Sequence, residues 1–161
     1  LGVPSYNFLA WASVVYAPER RALTAETIAS LIDRGNWDAH LFARELGYLL
    51  EHGWFGANRL VQTLNDAASL SPLAGWSVFQ TVRRILPLAP QVGQGASLVK
   101  LAVELAELYG TPVEIPAVLE PKMKGSTVLA KSLRALAAVP ARETEEALAA
   151  REAALALLGE S

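Results

Sequence analysis

His40 and His52 are the side chains of this sequence best placed to move a proton or hold a metal near neutral pH, and they are its only histidines. If residues 38–52 form one helix, the two point about 120° apart around its axis, at roughly 100° per residue. They cannot ligate one ion together, and a metal site needs three or four converging ligands. Asp38 lies near His40 and Glu51 beside His52. An acid–base pair needs a geometry that this spacing does not supply. His52 also falls where the helix should end, a place that favours a cation for reasons of the helix dipole alone. Both read as surface or helix-end residues. The expectation is a protein with no catalytic residue, no metal and no cofactor.

The other residues that could do chemistry lead the same way. Arg83 and Arg84, with Arg59 and Arg44 on neighbouring elements, could line one basic face for nucleic acid. A net charge of -2 argues against that use. Glu143, Glu145 and Glu146 cluster where a helix should begin, which suits the positive end of its dipole. No GxGxxG, phosphate loop, HExxH or GxSxG motif occurs. The chain has no cysteine, which removes disulfides, thiolate zinc sites and thiol catalysis and fits a cytoplasmic protein. The remaining candidates are aromatic. Trp54 and Phe55 in HGWFG fall between helices, where Trp54 would pack back on the preceding turn. Trp37 in RGNWD reads as a staple for the helix that follows.

The elements that carry these residues are amphipathic helices. Apolar periodicity places the first over Ser5 to Ala17, before Pro18. The second runs from Thr24, as N-cap, to Arg34, with Gly35 closing it. The third runs from Asn36 or Asp38 to His52, on the stripe Phe42, Leu46, Leu49 and Leu50. The fourth spans Ala57 to Leu70, and Ser71-Pro72 then opens a fifth that Pro87 ends. The sixth spans Ala96 to Tyr109 before Gly110. Residues 111–125 hold three prolines and should form an irregular connection with one helical turn after Pro116. A seventh helix follows from Ser126 to Val139, and an eighth from Arg142 to Leu158, with Leu148, Leu155 and Leu158 on one side. Nothing sustains the alternation of a strand. The fold class expected is all-α, about eight helices in antiparallel pairs, as an α-solenoid or an irregular helical bundle.

With 161 residues, 52% of them apolar and 19% charged, the chain can form one domain with a large core and needs no disulfide or metal for stability. Residues 1–18 carry no charge and include Tyr6, Phe8, Trp11 and Tyr16. Gly2, Pro4, Ser5, Asn7 and Ser13 interrupt that stretch, so it is neither a spanning helix nor a signal peptide. The chain begins at Leu1. It reads as a C-terminal fragment of a longer protein whose upstream part would cover the first helix.

Ser71-Pro72 and Thr111-Pro112 stand 40 residues apart, and residues 36–70, 72–110 and 116–158 each hold two helices. This pattern resembles the HEAT and armadillo class of α-solenoids, as in HEAT-like segments of large bacterial proteins of unknown function. The resemblance implies stacked repeats in a single domain over residues 1–161, and it implies no activity. In such a stack the charged eighth helix would be a solvated cap. The function expected is a non-catalytic interaction domain. Its candidate surface is Tyr6, Trp11, Trp54, Phe55, Arg59, Arg83 and Arg84. Its partner would be another protein, the upstream repeats of the same chain or a second copy, with no membrane. The alternative is a nucleic-acid-binding repeat that uses the arginine face.

Overall fold

A computed structural model of the chain describes residues 21–35, 37–52 and 57–160. The elements are α1 (Arg21–Asp33), α2 (Ala39–Glu51), α3 (Ala57–Ala68), α4 (Pro72–Ile85), a 3-10 turn (Leu86–Leu88), α5 (Ala96–Tyr109), a second 3-10 segment (Ala117–Met123), α6 (Val128–Ala137) and α7 (Glu145–Glu160). The protein is all-α, and no strand occurs among the described residues. The expected first helix, with Tyr6 and Trp11, and the loop residues Trp54 and Phe55 lie outside the described residues.

Local chemistry sets the boundaries. Asp38 caps α2, its Oδ1 accepting from the amides of His40 at 2.9 Å and Leu41 at 3.1 Å. The residue before this cap, Trp37, stacks on Phe42 in the second turn. This is a hydrophobic staple, and it fixes the angle at which the chain enters the helix. Trp37 Nε1 also donates to Thr81 Oγ1 on α4 at 3.2 Å, so the staple ties α2 to α4 as well. Ser71 caps α4 by accepting from the Ala74 amide at 3.0 Å, with Pro72 in the first turn as its sequence position suggests. Gly110 ends α5 in the left-handed region, at φ 60°.

Three helix starts differ from the expectation. Helix α1 begins at Arg21, so Thr24 lies inside it rather than capping it. Thr127 caps α6 in place of Ser126, its Oγ1 accepting from Ala130 N at 3.0 Å. Helix α7 starts at Glu145, after Thr144 Oγ1 accepts from Ala147 N, and continues through Gly159.

Packing centres on α4, which contacts α1, α2, α3, α5 and α7. Its Ala74, Val78, Phe79 and Val82 are fully buried. Around it lie Phe42 and Leu46 of α2, Leu60 and Leu64 of α3 and Leu98 of α5, all without solvent contact. Each such Leu or Phe contributes about 1.5–3 kcal/mol by leaving water. α1 packs on α3, and α5 packs on α6. The connection after α5 is anchored by buried Val113 and Leu119, and it contains the helical turn expected after Pro116.

Helix α7 packs on the body through its small residues and keeps the three leucines that share one side outward. Leu148, Leu155 and Leu158 face solvent, and Ala150 is buried, with Ala147 partly so. Small side chains let the helix axis approach α4 and α5 closely, which leucines at those positions would prevent. Near its end Leu157 reaches the close of α1. A Cβ on Gly35 would stand 3.5 Å from Leu157 Cδ2. The last described helix therefore returns to the first.

Candidate functional site

Helix α2 meets the end of α4 at a small residue. Gly47 is buried, and a Cβ there would stand 3.1 Å from Leu88 Cδ1. This close approach brings the 3-10 turn after α4 against the middle of α2. Pro87 holds that turn in place, since it cannot continue the α4 ladder.

Above this contact lies a surface cleft of about 980 Å³. Its floor is apolar, formed by Ala43 and Gly47 from α2 and by Ile85, Pro87 and Leu88. Its rim is polar, with His40, Arg44, Glu51 and Arg84. Tyr48 lines it too and is 59% exposed. The Tyr48 ring stacks on the His52 ring at 4.1 Å between centroids, one turn along. Nδ1 of His52 is placed to donate to the Tyr48 carbonyl, 2.8 Å away. The same carbonyl accepts from the His52 amide at 3.1 Å, so both bonds fasten His52 to the last turn of α2. His52 is thereby a capping residue.

Glu45 sits at the side of the cleft with an unusual environment. The residue is partly exposed, yet its Oε2 is buried and has no hydrogen-bond partner. Burial pushes its carboxyl above the ordinary glutamate range. The carboxyl is harder to ionise here than in water.

The four arginines weighed for a basic face take different places. Arg44 and Arg84 both line the cleft, and Glu45 and Glu51 share that lining. Arg83 lies over the Phe79 ring, with its Cζ 5.4 Å from the centroid, and donates to Gln80 Oε1 at 3.3 Å. That cation–π contact holds the guanidinium along its own helix. Arg59 stands on α3, in a half-buried position outside this cleft. His40 is exposed on the rim. No group of three or more His, Asp or Glu residues suited to a metal occurs among the described residues. No helix there is long and apolar enough to cross a membrane.

A second, smaller cleft of about 570 Å³ opens between the end of α5, residues 141–143 and α7. Trp76 and Tyr109 form its wall and pack edge to face, 5.3 Å between centroids. The Tyr109 hydroxyl donates to Pro72 O at 3.1 Å, and burial, with Glu146 nearby, pushes its phenol up to about 12. This tyrosine is a structural tie between α5 and the start of α4.

Sequence reasoning missed Glu45, Gly47, Tyr48 and Leu88 as members of one site. Glu45 flanks the stripe of Phe42 and Leu46, which places it at the edge of the buried face. That the α4 terminus would arrive there was not encoded in α2.

The family described as Domain of unknown function (DUF7825) matches residues 2–116. The chain belongs to this family. The DUF7825 match takes in α1 through α5, and with them every residue of the first cleft, whereas α6 and α7 lie beyond it. No curated protein and no solved structure matches the chain.

Proposed function

We propose that the chain is a non-catalytic protein-interaction domain of a larger cytoplasmic protein, and that it docks a partner in the cleft between α2 and the end of α4. The observation that carries this is the form of the cleft, an apolar floor inside a polar rim with Tyr48 standing 59% exposed at its side. Interfaces place apolar contact at the centre and polar groups around it, and tyrosine is among the residues enriched there. Exposure of His40 and the capping role of His52 support a reading without acid–base catalysis. The contact of Leu157 with the Gly35 turn favours an irregular bundle over an open HEAT-like stack, in which units so far apart would not meet.

Site-directed photo-crosslinking in the parent protein tests the proposal. A reactive residue at position 48 should trap one discrete partner, and Leu88→Glu in the cleft floor should abolish the product. A reactive residue at Val118, exposed on the second 3-10 segment, serves as the control. Identical products from both positions would overturn the cleft as the docking site.

The presence of Arg44 and Arg84 in one lining keeps nucleic acid as the second reading. Duplex DNA that binds at about 50 mM salt, dissociates at about 200 mM and is lost with Arg44→Glu/Arg84→Glu would favour it. The carboxylates in the same lining favour the protein partner instead.

A further inference from the structure

The outer face of α7 is not an ordinary solvated surface. Leu148 and Leu155 are 45% and 61% exposed. Seven residues apart, they lie within about 20° of each other around the axis. Arg151 and Glu152 come between them in height, about 50° to either side of the leucine line. Both are exposed. Leu158, 71% exposed, follows on the arginine side. The inner face carries Ala147, Ala150 and Leu157 and is already committed to the body of the protein.

We infer that this face is a self-association surface, on which α7 of a second copy of the chain packs in parallel. The charges choose both the occupant and its direction. A two-fold axis parallel to the helix brings Leu148 against the partner's Leu148 and Leu155 against the partner's Leu155. Because Arg151 and Glu152 lie on opposite flanks, the same rotation places each Arg151 beside the partner's Glu152, once on each side. Antiparallel pairing sets arginine beside arginine and glutamate beside glutamate. Flanking charges of this kind govern partner and orientation in paired helices. The contact is isologous and closes at two copies.

The sixteen residues of α7 form a rod about 24 Å long. A contact of that length is smaller than the ~1,600 Å² of a standard interface. Association is therefore weak and depends on concentration. It uses none of the residues of the α2–α4 cleft and stands or falls separately from the function proposed above.

Light scattering over a concentration series reads the outcome directly. The mass should rise from 17.2 kDa toward twice that value. Leu155→Glu should stay at the single-chain mass. Arg151→Glu and Glu152→Arg should each raise the dissociation constant at least about tenfold, since like charges then face each other. The double exchange Arg151→Glu/Glu152→Arg should restore it. The chain has no cysteine, so Leu148→Cys should give a disulfide-linked dimer on mild oxidation. Antiparallel pairing would set position 148 against 155 and leave that variant uncrosslinked. All these positions are exposed, and unchanged helical circular dichroism verifies that the variants fold. A single-chain mass at every concentration would overturn the inference. So would association that survives Leu155→Glu, or a double exchange that fails to restore it.

Discussion

Glu45 has a carboxyl that burial pushes upward and an Oε2 that nothing hydrogen-bonds. A group whose folded pKa is raised holds its proton more tightly in the folded chain than in the unfolded one. Its contribution favours folding at low pH and is lost as the pH rises through the folded value. At pH 7 the ionised form is the costly one. Glu45→Gln, which cannot ionise, should raise the urea midpoint at pH 7, and the gain should vanish once the pH falls below the ordinary glutamate range. The effect should stay below about 1 kcal/mol, because the residue is partly solvated. An equal gain at both pH values would place the effect in packing rather than charge. At this scale the sequence was readable only where a residue acts on its own neighbours. Trp37 could be read as a staple because its target, Phe42, lies five positions on. The environment of Glu45 includes the end of another helix, and nothing in α2 announces it.

Helix ends were the most legible elements, because caps are short-range chemistry. Ser71-Pro72 opens a helix and Gly110 ends one where the sequence placed them. Thr24 and Ser126 misled because a neighbouring residue of equal capping ability, or an earlier start, was compatible with the same pattern. Gly110 supports a strong prediction. Its φ is 60°, and a Cβ there would collide with the Arg142 carbonyl. The Arg142 amide also donates to Gly110 O at 3.0 Å, which pins the chain just before α7 to the end of α5. Gly110→Ala should cost about 2 kcal/mol or more, from left-handed strain together with the lost approach. Chemical denaturation measures this, and a change under about 0.5 kcal/mol would mean the junction shifts freely. The orientation of α7 was not legible. Its alanines and leucines both recur at helical spacing, and hydrophobicity favours burying the larger residues. Close approach to α4 and α5 decided for the smaller.

For the molecule as a whole, the all-α class followed from the absence of strand patterning and the succession of apolar stripes. The arrangement of those helices was less legible. A spacing of 40 residues between Ser71-Pro72 and Thr111-Pro112 suggested stacked units, and α4 stands among helices from both ends of the described chain. Leu157 beside the turn at Gly35 is the point where the two ends meet. Leu157→Glu should therefore weaken hydrogen-exchange protection in α1 as well as in α7. A stack of independent units would confine the loss to α7 and its neighbours.

The central place of α4 also sets the order in which this chain can acquire its structure. Helices α3, α4 and α5 are neighbours in sequence and in space, so their docking closes only short loops. The closure between Gly35 and Leu157 spans more than a hundred residues and must wait for that core. A ribosome delivers α7 last of the described helices. Until it arrives, the faces of α4 and α5 that its alanines will cover stand open to water, and a nascent chain at that stage is where a chaperone would find its substrate.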